Sequence, residues 1–189
     1  MNLRITILLS LILILGCNKP IDDDINNYNQ KSTELVNSIL KNNEPDCSCL
    51  LEPPHQSLLE IADNERPEHN NKKDLLEALE LNNDSVLDKQ DNLSKRFRID
   101  ELSLNYKMDL IKRSEVDSIF QKNGSQKGRE ILWKKCPSGW LYLSPPIFNE
   151  SYNIAVIEIS ICSPGGSISI YKFTNGNWEY VDSIGVWLS

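Results

Sequence analysis

The hydrophobic period of this chain changes once, near Leu102, and that change bounds the folds open to it. Before it, apolar residues recur at the 3.6-residue spacing of a helix face; after it they alternate, as on a half-buried strand. Tyr28, Leu35, Val36, Ile39 and Leu40 share one side of a helix over residues 25–42, ended by Asn42, Asn43 and Pro45. Ser57-Leu58-Leu59-Glu60 has capping-box spacing and opens a short helix that stops before Pro67. Leu75, Leu76 and Leu79 mark a third helix over 72–81, and Val86, Leu87 and Leu93 a fourth over 84–97. Beyond the change, Leu102, Leu104, Tyr106, Met108 and Leu110 alternate with polar residues as a strand, and Ser114 caps a short helix carrying Val116, Ile119 and Phe120. A loop reading KNGSQKG follows, then strands at 139–143, 153–162, 167–174 and 177–188. Asn175-Gly176 supplies the type I′ hairpin between the last two. The expected fold is α+β: a helical N-terminal half, 25–97, packed on one face of a C-terminal antiparallel β meander within a strand-rich 102–189, in a single domain 25–189.

The first sixteen residues carry Arg4 and then an uncharged apolar run from Ile5 to Leu15. Eleven helical residues reach roughly 16 Å against a hydrocarbon core of about 30 Å, so the run reads as a signal peptide, 1–16, too short to span. Ile14-Leu15-Gly16-Cys17 resembles the cleavage box of bacterial lipoproteins. That resemblance implies a mature chain beginning at a lipidated Cys17, with acyl chains holding it to a membrane and residues 17–24 as an acidic tether. The lysine and acids of this tether loosely resemble a surface-export signal of Bacteroidota lipoproteins, and a plain solvated tether is the alternative.

Lys and Arg number 20 against 27 Asp and Glu, a net charge of −7, and loss of Arg4 with the leader takes it to −8. Such a chain lacks the clustered cations that phosphate-backbone binding needs, so nucleic acid is not an expected partner.

A second resemblance covers about ninety C-terminal residues. Ser144-Pro145-Pro146-Ile147-Phe148-Asn149, Ala155-Val156, the Gly165-Gly166 turn, Asn175-Gly176-Asn177-Trp178 and Trp187-Leu188-Ser189 are similar to small, uncharacterised lipoproteins of the Bacteroidota. Those turns and core aromatics imply a fold and a lipid-anchored place in the bacterial cell envelope, at the outer membrane, with the periplasmic or surface face open. They carry no activity to transfer.

With Cys17 assigned to lipid, Cys47, Cys49, Cys136 and Cys162 remain, an even number suited to an oxidising compartment. A hairpin about the 146–151 loop sets residues summing to about 298 opposite each other, which pairs Cys136 with Cys162. Cys47 and Cys49 are then left to each other, to a partner molecule or to a metal, with His55 and His69 as the histidines within reach of a zinc set. Oxidised structural cysteines in a loop are the simpler reading.

No phosphate loop, nucleophile elbow or zinc-protease helix is present. Glu158 interrupts the apolar run IAVIEISIC; the alternation rule sends it with Ser160 to the solvent face, while a buried carboxylate would suit a hydrolase. Four tryptophans offer either core or an aromatic ligand surface. Asp84-Ser85-Val86, Asp117-Ser118-Ile119 and Asp182-Ser183-Ile184 resemble an O-glycosylation triplet of exported Bacteroidota proteins, Ser85 being the best placed. The expected function is a non-catalytic binding or support module, needing no cofactor, whose partners are the membrane and an envelope protein or glycan. The alternative is a metal- or thiol-dependent protein using Cys47, Cys49 and His55.

Overall fold

A computed structural model describes residues 20–43, 45–99, 104–105, 107–162 and 165–188. Among them five helices and seven strands run in the order α1 (Pro20–Asn43), β1 (Cys49–Leu51), α2 (Leu58–Glu65), α3 (Asn71–Ala78), α4 (Asp84–Ser94), β2 (Asp109–Ile111), α5 (Arg113–Lys135), β3 (Trp140–Leu143), β4 (Ile147–Phe148), β5 (Ile154–Ile161), β6 (Gly165–Thr174) and β7 (Asn177–Leu188). The fold is α+β, with most helices in the N-terminal half.

The seven strands form one mixed sheet in the order β2-β1-β3-β5-β6-β7, with β4 on β5. Strands β3, β5, β6 and β7 are the expected antiparallel meander. Strand β1, in a stretch expected to be loop, inserts parallel to both β2 and β3. Its three residues limit its neighbour: β2 pairs only over 109–111, although the alternation at 102–110 predicts a longer strand. Glu52-Pro53-Pro54 ends β1, because proline has no N–H to extend the ladder. Leu104 and Met108 still pack against the core without strand pairing. Residues 100–103 and Tyr106 of that expected strand lie outside the described residues.

Helices cover both faces of the sheet, not one. Alternate β5 residues Ala155, Ile157 and Ile159 meet α1 through Tyr28, Val36 and Ile39. Ile154 and Val156 turn the other way, toward Leu58, Leu75 and Leu87 of α2, α3 and α4. A strand buried on both faces reads as a continuous apolar run, and the first half of β5 has that composition. Under α1, Tyr28 and Trp178 each set a ring against Phe148, at centroid distances of 5.7 and 5.8 Å. Each such pair contributes about 0.5–1.5 kcal/mol beyond burial alone.

The local signals hold where both partners are close in sequence. Glu60 N–H donates to Ser57 Oγ at 3.2 Å and Ser57 N–H to Glu60 Oε2 at 3.3 Å, the reciprocal pair of a capping box. Asn175 and Gly176 sit at φ 52° and 85°, the left-handed geometry their hairpin requires. Helix α1 starts at Pro20, so residues 20–24 are helical instead of forming a loose tether, and Asp24 is pinned to Lys89 of α4 at 2.7 Å.

Helix α5 holds a larger departure. The expected short helix and loop are a helical hairpin, its arms 113–123 and 125–135 reversed at Gly124, where φ is 73° and ψ 177°. Lys135 pairs with Glu115 at 2.9 Å across the arms, and the Phe120 ring lies directly over Gly128. A Cβ on Gly128 would come 2.6 Å from the ring's Cδ1. Gly128→Val should therefore push the arms apart and cost about 1–3 kcal/mol by overpacking, read as a lower midpoint in thermal unfolding. An unchanged midpoint would mean that the arms do not touch there.

Candidate functional site

Two disulfides anchor the chain at the start of β1. Cys47 bonds Cys162 and Cys49 bonds Cys136, with Cα–Cα distances of 5.2 and 5.6 Å. This corrects the expected Cys136–Cys162 pair. The β3–β5 register sets Leu141 opposite Ile161, a sum of 302 and not 298, so Cys162 lies beside Trp140. Cys136, four residues earlier, has already left the strand and closes α5, its N–H donating to Leu132 O at 2.7 Å.

A bend at Ser48 explains how neighbours one residue apart reach different partners. Ser48 is held at the turn after α5: its N–H and hydroxyl donate to Gly139 O, and the Ser138 N–H donates to its Oγ. Cys47 thereby enters the core beneath α1, while Cys49 joins Leu51, Val116 and Cys136 beneath α5. His55 is exposed beyond the two prolines, and His69 is exposed beside Glu68 at 3.5 Å. Cys47, Cys49 and His55 thus do not converge, and neither sulfur is a thiolate in this oxidised form. Among the described residues no three metal-binding side chains are gathered.

Glu158 is buried, 6% exposed, which corrects its expected place on the solvent face. It belongs to the β5 face that α2 covers, and its backbone exchanges hydrogen bonds with Ser144: Glu158 N–H to Ser144 Oγ at 2.9 Å and Ser144 N–H to Glu158 O at 3.0 Å. Oε2 has no partner among the described residues. Burial, then the neighbouring Glu65 carboxylate, pushes its carboxyl up to about 7. The same burial, with Glu158 beside it, pushes the Tyr142 phenol well up. The Ser144 hydroxyl donates to Pro145 O, away from the carboxyl, so the two do not form a nucleophile and base.

A broad groove of about 1150 Å³ follows the outer side of α1, bounded by the β6–β7 hairpin and by Arg98 and Asn105. Its lining is rich in amides, including Asn29, Gln30, Asn42 and Asn177, with Phe173 as the accessible aromatic. Phe173 is 37% exposed, and Lys31 Nζ stands 5.3 Å above its ring. Lys31 is in turn held by Glu34 at 2.7 Å. Ser38 Oγ and Asn42 Nδ2 both donate to Trp178 O, fastening helix to hairpin. Sequence reasoning missed this groove, although the amides on the polar side of α1 were a legible signal.

Ser85 is exposed in the first turn of α4, where Asn83 Oδ1 accepts from both its N–H and its hydroxyl. Ser118 and Ser183 are only partly exposed, in α5 and β7. Cys17 lies outside the described residues, as does the expected signal peptide, 1–16. No protein-family model, no curated protein and no solved structure matches this chain.

Proposed function

We propose that the chain is a bacterial envelope lipoprotein, held at the outer membrane by lipid on Cys17, whose α+β domain is a non-catalytic module binding an extended polar ligand, an envelope glycan. The groove along α1 carries the binding part of this reading. Amide donors and acceptors beside an aromatic face suit a hydroxyl-rich ligand, which needs hydrogen bonds at its edges and a flat apolar patch beneath its C–H groups. The two interior disulfides support the compartment, because such bonds persist where thiols are not kept reduced. Ser85, exposed on α4, stands as the candidate glycosylation position.

An array of bacterial envelope glycans probed with the purified chain tests the binding. Phe173→Ala should weaken a glycan hit about tenfold, the equivalent of about 1.4 kcal/mol. An array without hits, or a hit indifferent to Phe173→Ala, refutes the glycan reading and turns attention to an envelope protein. Intact mass of envelope-derived material tests the lipid separately: acyl chains on a chain beginning at Cys17 are expected, and an unmodified cysteine refutes the anchor.

A further inference from the structure

The helical hairpin α5 is a cationic projection on an acidic chain. It contains six cations and three acids, a net of +3, so the rest of the chain carries −10 of the total −7. At its base the charges are mutually satisfied, Arg113 with Asp117 and Lys135 with Glu115, each at 2.9 Å. Toward the tip and along the outer arm, Lys122, Lys127, Arg129 and Lys134 are exposed and form no ion pair among the described residues; Glu130 is the acid among them. Trp133 lies between Arg129 and Lys134, 44% exposed, its ring 4.9 Å from that of Trp140. Only Val116, Gly128 and Leu132 of the hairpin are buried.

From this juxtaposition we infer that the α5 hairpin is a membrane-docking element, laying Trp133 and its four exposed cations on a surface of anionic lipid headgroups. The inference rests on the reading that the chain is held at a membrane. Indole settles at the headgroup level, where its apolar body and N–H are both accommodated, and each Lys or Arg near an anionic surface raises partitioning about fivefold. The remainder of the chain, at −10, is repelled by the same surface. Docking through α5 therefore fixes which side of the domain faces the bilayer and leaves the α1 groove to other partners.

The test compares the full chain on phosphatidylcholine vesicles with vesicles that also contain phosphatidylglycerol. Association with phosphatidylcholine alone reports the N-terminal apolar run or attached lipid; the excess on phosphatidylglycerol reports the hairpin. That excess should be on the order of tenfold or more, fall away at high salt, and vanish in a variant with Lys122, Lys127, Arg129 and Lys134 all changed to Gln. Glu130→Gln should raise it, which guards against a loss caused by misfolding. Brominated phosphatidylglycerol should quench wild-type tryptophan emission more than that of Trp133→Phe. Equal association with both vesicles, an excess that survives the fourfold change, or quenching indifferent to Trp133 would each overturn the inference. Absence of association with phosphatidylcholine, with the anionic excess intact, would instead count against the anchor.

Discussion

Replacing Cys49 and Cys136 with serine should lower the unfolding free energy by about 3–4 kcal/mol, and adding loss of the Cys47–Cys162 bond should cost about 5 kcal/mol more. The size follows from loop closure in the unfolded chain. Alone, the two bonds close circuits of 115 and 87 residues. Once Cys47–Cys162 is made, Cys49–Cys136 closes a shorter path of roughly 30 residues: two from Cys49 to Cys47, and 26 from Cys162 to Cys136. The second bond formed therefore contributes somewhat less than the first. Together they tie the start of β1, with only three paired residues, to the ends of β5 and α5, so their loss should free the β2–β1 edge before the meander. Denaturant unfolding with and without reductant measures the total, and hydrogen exchange reads the order. Peptide mapping that recovers Cys136 joined to Cys162 would refute both the pairing and the ledger.

The second large effect is a pH dependence centred on Glu158. Its carboxyl, ordinarily near 4.5, is raised to about 7 in the folded chain by burial and by Glu65. Below 4.5 both folded and unfolded chains hold the proton, and no penalty exists. Between 4.5 and 7 the unfolded chain ionises while the folded one does not, so stability falls as pH rises, by about 1.4 kcal/mol per pH unit. Above 7 the cost levels off at about 3 kcal/mol. Tyr142 on β3 and Glu65 on α2 are the titratable groups acting on or beside it, and Arg113 acts on Tyr142. Glu158→Gln should flatten this slope, gaining stability at pH 8 and little at pH 4. Parallel pH profiles for the two proteins would show that the carboxyl is not buried in this way.

Much of the fold was legible because its signals act over a few residues. The stripe Tyr28, Leu35, Val36, Ile39 and Leu40 is nearly fully buried, as its spacing required. Each partner of the Ser57–Glu60 box lies within one helical turn, and Asn175-Gly176 needs only its own backbone geometry. The second arm of α5 was not legible: its apolar content is Ile131, Leu132 and Trp133, consecutive and without a helix period, and its seam depends on Phe120 meeting Gly128. Nor was the groove, which needs α1 and the β6–β7 hairpin side by side.

Glu158 marks the boundary. The alternation rule places it on the same side of β5 as Val156, and the structure agrees; what the rule could not supply is that α2 covers that side. The cysteines show the same limit. The four cysteines beyond Cys17 and their separation along the chain were written in the sequence, but their pairing turned on a four-residue difference in the β3–β5 register and on the bend at Ser48. The sequence by itself determined α1 to α4, the β6–β7 hairpin and the α+β class, since side-chain period, caps and turn residues act on near neighbours. Tertiary structure alone decided the disulfides, the burial of Glu158 and the insertion of β1. Those depend on which distant surfaces meet, and a shift of one or two residues in any strand changes every partner at once.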